Sequence, residues 1–223
     1  MGAYVIILPD KKYINTVVPA DHGPIEATVV TSGTVTFSLC KLDGVAYDDI
    51  EIQPIEPPNP NNLAMWLDNS TIPNVLKQYS ATSKMWVSVA TTYIKISSPG
   101  IGLPFKEGDG VTISGIKDEA LADLNSTMVI QAAGTNFIVV TGILDQVITQ
   151  ETPICVSRWM PDLDFIVESK NRLWGCKYGE PYLGKVLDEQ TGEAVDKGGL
   201  GEHVNEIYAC KLGDFKNWNC FMG

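Results

Sequence analysis

The amino-acid sequence predicts an all-β protein built from antiparallel hairpins. Short runs of β-branched and aromatic residues are separated by turn residues, and several of these runs alternate polar with apolar side chains. The run Val35-Thr36-Phe37-Ser38-Leu39 shows this alternation, which is typical of a strand with one buried and one wetted face. The best helix candidate is short: Pro73 at a first turn, followed by Val75, Leu76 and Tyr79, predicts a helix of about two turns.

Turn residues divide much of the chain into hairpins. An apolar run at residues 4–8 and an alternating run at 12–16 flank a Pro-Asp turn, which predicts a hairpin near the N-terminus. The apolar runs at 128–131 and 137–140 flank Ala-Gly-Thr-Asn at 133–136 and predict a second hairpin.

The length of 223 residues fits one large domain or two modules, and it can bury a core without disulfide or metal staples. Residues 53–62 contain four prolines and predict an extended surface connector. Residues 85–158 predict a compact unit of five or six strands, with Asp118 capping a single helical turn. We therefore expect a hairpin platform formed by 1–84 and 159–223, interrupted by this smaller β module.

Composition limits the function classes. Acidic residues outnumber basic ones 27 to 16, which gives a formal net charge of −11. Because affinity for a polyanion comes largely from Lys and Arg, we do not expect sequence-specific nucleic-acid binding. The alternative is an acidic protein that lines a channel for DNA, where the negative charge would let DNA slide. No stretch approaches the roughly 20 apolar residues that a membrane helix needs, and the N-terminus lacks the basic region of a signal peptide. The sequence thus predicts a cytosolic or virion protein.

The five cysteines, at 40, 155, 176, 210 and 220, are widely spaced and form no C-x-x-C pair. This pattern favours buried or half-buried free thiols over a disulfide framework or a zinc site. The alternative is a bond between Cys176 and Cys210 on neighbouring strands, which requires an oxidising compartment. We expect no metal and no cofactor.

The sequence offers little for catalysis. The chain has two histidines; neither lies in a nucleophile motif, and His203, near Cys210, lies in a glycine-rich stretch. The candidate carboxylates for polysaccharide hydrolysis are Glu107 with Asp109 and Asp162 with Asp164, provided that two of them lie roughly 5–10 Å apart in a cleft.

The last of these pairs alternates around Leu163, which places both carboxylates on one face of a strand and makes a calcium site the alternative use. The glycine-flanked Asp109 has neither the lysine nor the following helix of a phosphate loop. We expect no enzymatic activity and no catalytic residues.

Aromatic side chains are the other candidates for a site. The five tryptophans could stack on sugars, although most lie in apolar runs where core or interface packing is favoured. Trp218 beside Asn217 is the best candidate for an exposed contact, and Trp174 and Tyr208 on the two strongest C-terminal strands are the further interaction candidates.

Two stretches resemble bacteriophage tail proteins. Residues 171–176 (N-R-L-W-G-C) and 205–218 (N-E-I-Y-A-C-K-L-G-D-F-K-N-W) resemble the N-R-L … I-Y-x-S-x-x-G-D-x-x-N-W hairpin of the tail nozzle (tail tubular B) family. Residues 105–115 (F-K-E-G-D-G-V-T-I-S-G), followed by 124–127 and 136–140, resemble the small β-barrel or Ig-like inserts of such proteins. Ser126 stands where those inserts usually have glycine.

This resemblance implies a propeller-like or sandwich platform with an inserted small β-barrel or Ig-like module. It implies a structural component of a virion tail, made in the host cytoplasm, which assembles with itself as a homo-oligomer or with other tail proteins. Because the family members are longer, we expect a fragment or an incomplete propeller arc. The alternative function is an adhesion module of a tail tip that binds a host-surface glycan or receptor.

Overall fold

The computed structural model describes residues 3–8, 10–170, 172–178, 185–187, 194–196, 204–211, 216 and 219–222. Backbone contacts divide the chain into two compact units, one formed by residues 1–26 with 159–223 and the other by residues 27–158. Apart from one 3₁₀ helix, Glu119–Leu124, every regular element in the described residues is a β-strand. The predicted all-β class is confirmed.

The strands are numbered in chain order. They are β1 (Tyr4–Ile7), β2 (Lys12–Asn15), β3 (His22–Pro24), β4 (Ala27–Val30), β5 (Val35–Cys40), β6 (Ile50–Gln53), β7 (Met65–Asp68), β8 (Val75–Ser80), β9 (Met85–Ser88), β10 (Tyr93–Ser97), β11 (Gly110–Ser114), β12 (Thr127–Val129), β13 (Ala132–Gly134), β14 (Phe137–Thr141), β15 (Ile148–Gln150), β16 (Cys155–Arg158), β17 (Phe165–Ser169), β18 (Arg172–Tyr178), β19 (Lys185–Leu187), β20 (Ala194–Asp196), β21 (Val204–Lys211) and β22 (Asn219–Met222).

Two antiparallel sheets of the unit 27–158 share its main core. Their strand orders are β13-β14-β10-β5-β15 and β12-β11-β16-β4. Alternate residues of both sheets point into one apolar cluster, which includes Val35, Phe37, Ile94, Ile96, Val111, Ile113, Ile138, Val140 and Val156. Full burial of each such side chain stabilises the fold by about 1.5–3 kcal/mol. Neither sheet closes on itself within the described residues, so the module is sandwich-like and not a small barrel.

The inserted unit begins earlier than the sequence predicts. Its first strand, β4, pairs with its last strand, β16, so that Ala27 lies opposite Arg158. The next strand, β5, lies between β10 and β15 in the other sheet. These pairings place the boundary after residue 26 and not after residue 84, because residues 27–40 supply strands to both layers of the sandwich.

The predicted hairpin at 128–140 is divided between the two layers. β12 pairs with β11 in one sheet, whereas β13 pairs with β14 in the other. The hairpin partner of β14 is therefore Ala132–Gly134 and not the apolar run before it. The predicted cap at Asp118 is confirmed, since its carboxylate accepts a hydrogen bond from the Ala120 N–H at 2.9 Å.

Residues 41–92 form an excursion between the paired strands β5 and β10. The excursion holds a separate four-stranded sheet in the order β6-β7-β8-β9, in which β6 and β7 are parallel and the other pairs antiparallel. The helix predicted after Pro73 is wrong: Val75–Ser80 is the strand β8. Neighbouring strands on both sides satisfy its backbone, and this pairing overrides the helical spacing of its apolar residues.

In the unit formed by residues 1–26 and 159–223, the described strands form three sheets, β1-β2-β3, β17-β18-β21-β22 and the pair β19-β20. The predicted N-terminal hairpin is the pair β1 and β2. Among the described residues, the core of this unit includes Tyr13, Ile25, Met160, Leu163, Leu173, Tyr208 and Cys210.

The thiols at 40, 155 and 176 are free. Between β18 and β21, Cys210 lies opposite Leu173 and Cys176 lies opposite Ile207, so the alternative Cys176–Cys210 bond is wrong. Burial raises the pKa of Cys40 to about 11, which keeps this thiol protonated and unreactive near neutral pH.

The inserted unit contains a buried ion pair between its last strand and the turn before β11. Arg158, the last residue of β16, donates to the Asp109 carboxylate, and their side chains are 3% and 6% exposed. The same guanidinium donates to the Pro104 carbonyl at 3.1 Å, and Asp109 also accepts the Lys106 N–H at 2.9 Å. The pair thereby fixes the turn that precedes β11 against the end of the last strand.

Replacing Asp109 with Ala is expected to lower the free energy of unfolding by about 3–5 kcal/mol, because Arg158 would then remain buried without its counter-ion. Urea unfolding measures the loss. Glu107→Ala, at an exposed neighbour, is the matched control and should change stability by less than ~0.5 kcal/mol. Equal unfolding midpoints for the two variants would contradict the structural role of the pair.

Candidate interaction site

The structure places two of the four sequence-predicted site residues in packed positions. Tyr208 is 8% exposed and belongs to the core of its unit. Trp174 is half-buried on β18, between Val167 and Ala209 on the adjacent strands. The other two, Asn217 and Trp218, lie outside the described residues. The four candidates therefore do not form an exposed aromatic platform within the described part of the chain.

Among the described tryptophans, Trp159 is the exposed one, and the sequence did not single it out. Its side chain is 53% exposed, and its ring meets the Tyr208 ring edge to face at a centroid distance of 5.8 Å. Its neighbours in sequence, Arg158 and Met160, are both buried.

The candidate carboxylates have structural partners. Asp109 is buried against Arg158. Asp162 forms an ion pair with Lys11 at 2.6 Å, and Lys11 also contacts Glu26 at 2.9 Å. Asp162 and Asp164 precede β17 and do not lie on a strand, which corrects the expectation that they share a strand face. Among the described residues, no three metal-ligating side chains come together.

The excursion sheet carries an aromatic cluster on one face. Trp66 on β7 and Tyr79 on β8 both meet Trp86 on β9, each at a centroid distance of 5.4 Å. The Lys77 ammonium lies 4.3 Å from the Trp66 ring centroid and donates to the Asp68 carboxylate at 2.8 Å. The sequence did not indicate this cluster, because the spacing of Val75, Leu76 and Tyr79 after Pro73 predicted a helix and not a strand.

The Asp68 carboxylate is strongly stabilised in its charged form. The hydrogen bond from Lys77, followed by the two bonds from the Ser70 hydroxyl and N–H, lowers the pKa of Asp68 to about 2. This carboxylate is thus held as a structural anion that fixes the turn after β7.

The opposite face of the excursion sheet carries apolar side chains as far as both edges, together with Gln78 and Ser80 of β8. Leu67 and Leu76 lie opposite each other in its centre and are buried. On the same face, Ile52 on β6 is 47% exposed, and Met85 and Val87 on β9 are 63% and 53% exposed. No other described strand pairs with the outer edge of β6 or of β9.

A cleft of about 660 Å³ lies beside β6. Its lining combines the apolar residues Leu63, Ala64 and Met65 with one aromatic ring and polar groups, which include Tyr47, Asp48, Asp49, Glu51, Asn61 and Gln78. Burial raises the pKa of the Tyr47 phenol. Carboxylates and amides can hydrogen-bond to the hydroxyl groups of a sugar, and an aromatic ring can stack on the sugar ring.

The N-terminal sheet presents a second exposed apolar face. Val5, Ile7 and Ile14 are 46%, 44% and 38% exposed, and Val5 lies opposite Ile14. The other face carries Tyr4 and Tyr13, which both donate to the Asp21 carboxylate, at 2.7 and 3.2 Å. The hydrogen bond to Asp21 raises the pKa of Tyr4.

None of the described helices has the length and apolar character needed to cross a membrane. Comparison of the chain with protein-family models, with curated proteins and with solved structures gave no match.

The Asp68 carboxyl is expected to titrate near pH 2 in the folded protein, as followed by NMR. Lys77→Met should move the midpoint toward the ordinary value of 3.8, whereas Lys84→Met, at an exposed lysine on the next turn, should leave it unchanged. The pKa of Asp68 is lower in the folded chain than in the unfolded chain. Ionised Asp68 therefore stabilises the fold above about pH 4, and this stabilisation is lost as the pH falls toward 2. A Lys77→Met midpoint that stays near 2 would contradict the assignment.

Proposed function

We propose that this chain is a structural component of a virion tail that acts by assembly with copies of itself or with neighbouring tail proteins. The observation that carries the proposal is the presence, in each of the two units, of exposed apolar side chains on a small sheet. Unpaired strand edges and apolar sheet faces are surfaces that proteins use to associate.

The tail context comes from the sequence. The N-R-L-W-G-C and I-Y-A-C-K-L-G-D-F-K-N-W stretches resemble a hairpin of tail nozzle proteins. The pairing of Arg172–Tyr178 with Val204–Lys211 as antiparallel neighbours is consistent with that hairpin. We accordingly propose a virion location after synthesis in the host cytoplasm.

A second candidate function is binding of a host-surface glycan, and the cleft beside β6 favours it. The cleft has the size of a small-molecule site and offers carboxylates, amides and the Tyr47 ring. Binding on a glycan array that is lost in Tyr47→Ala but kept in Tyr93→Ala would support this candidate. An array without signal would remove it.

The assembly function predicts that the purified chain forms a discrete oligomer or a concentration-dependent series. Sedimentation velocity should show this species, and pull-down with a virion lysate should recover other tail proteins. A monodisperse monomer at all concentrations that recovers no virion component would contradict the proposal.

A further inference from the structure

The charges of the excursion are segregated along the chain. Residues 42–68 contain six carboxylates and no lysine or arginine, whereas residues 69–92, the rest of the excursion, contain two lysines and no carboxylate. In a chain whose acidic residues outnumber the basic ones 27 to 16, a long stretch with lysines alone stands apart. The strands β6 and β7 of the excursion sheet come from the acidic stretch, and β8 and β9 come from the stretch that contains the lysines.

The strand order places the two signs at opposite edges of the sheet. β6 forms one edge and follows Asp48 and Asp49, while β9 forms the other edge and follows Lys84. All three side chains are exposed. Lys41 lies 3.7 Å from Asp48 and neutralises part of the first edge, to which Glu51 adds a further negative charge. Lys77 on the inner strand β8 is paired with Asp68, so the sheet has an acidic edge at β6 and an edge at β9 that begins with a single lysine.

The two edge strands run in the same direction. β6 is parallel to β7, β8 is antiparallel to β7, and β9 is antiparallel to β8. When two copies lie side by side in the same orientation, β9 of one copy meets β6 of the next as a parallel pair. The N-terminal ends of the two strands then lie together, which brings Lys84 of one copy to Asp48 and Asp49 of the next.

The exposed apolar residues of the two edges lie on one face. Ile52 on β6 is opposite Leu67, Leu67 is opposite Leu76, and Val87 on β9 lies on the face of Leu76. Side-by-side copies in the same orientation keep this face on the same side. Met85 and Val87 of one copy then meet Ile52 of the next and cover apolar surface that is about half exposed in the single chain.

We propose that the excursion sheet is an interface between copies of this chain, in which β9 of one copy adds to β6 of the next. The contact combines main-chain hydrogen bonds, opposite charges at the strand starts and one apolar face. Because the two surfaces differ, the series is head-to-tail and yields a ring or a filament. The inference rests on the proposed assembly function and specifies its partner and surface.

The backbone of β9 shows which of its N–H groups are available for hydrogen bonds to the next copy. The Val89 N–H donates to the Leu76 carbonyl at 2.8 Å, so Val89 and, two residues earlier, Val87 bond inward to β8. The N–H groups of Trp86 and Ser88 consequently point out of the free edge.

Ser88→Pro removes one outward N–H and leaves the ladder to β8 intact, since proline is tolerated on edge strands. Ser88→Ala keeps that N–H and is the matched control. Sedimentation equilibrium of the full chain should give association at least tenfold weaker for Ser88→Pro than for Ser88→Ala, with equal melting temperatures. Equal association of the two well-folded variants would overturn the inference.

Charge exchange gives an independent test that does not alter the backbone. Lys84→Glu alone, or Asp48→Lys with Asp49→Lys, places like charges in contact and should weaken association by about tenfold. The chain with all three substitutions restores opposite charges and should associate like the wild type. Lys117→Glu, at an exposed lysine on another part of the unit, controls for the change in net charge. A triple variant no stronger than the single ones would overturn the inference.

The outcomes separate this inference from the function on which it rests. If the wild type associates and no edge variant changes its association, the edge interface fails and the assembly function stands on another surface. If the wild type remains monomeric and recovers no tail protein, the assembly function itself fails.

Discussion

The antiparallel pairing of β4 with β16 is the constraint on which the inserted unit depends. It places Ala27 opposite Arg158, so the chain enters and leaves the unit at adjacent points of one sheet. Arg158 then reaches from that sheet to the buried Asp109 carboxylate, which holds the turn before β11. A buried charge without its partner raises the free energy of the folded state. The pair therefore forms only when β16 and the turn before β11 are both in place.

A second pairing, β5 with β10, allows the excursion of residues 41–92. Cys40 and Tyr93 lie opposite each other, so everything between them replaces a hairpin loop. Loop-closure entropy grows slowly with loop length, and a long excursion is tolerated when it folds on itself. The excursion does so as a small sheet with an aromatic cluster on one face, and it leaves two strand edges unpaired among the described strands.

The proposed assembly function is supported by the contacts of the charged side chains and by the positions of the exposed apolar ones. Asp109 and Asp162, which could have served hydrolysis, neutralise Arg158 and Lys11. The exposed apolar residues instead lie together on sheet faces and edges, as Val5 and Ile14 do on β1 and β2 and Val87 does on β9. Exposed apolar surfaces contribute little to the stability of the single chain. Burying them against another chain lowers the free energy of the assembly.

The alternation at 35–39, the N-terminal hairpin and the cap at Asp118 were predictable, because each of them depends on residues that are close together in the chain. Tertiary structure alone decided that Val75–Ser80 is a strand, that the inserted unit begins at Ala27, and that the carboxylate of Asp109 is buried against Arg158. The physical reason is that strand pairing and ion pairing join residues far apart in the chain, and their partners supply the free energy that overrides local preference.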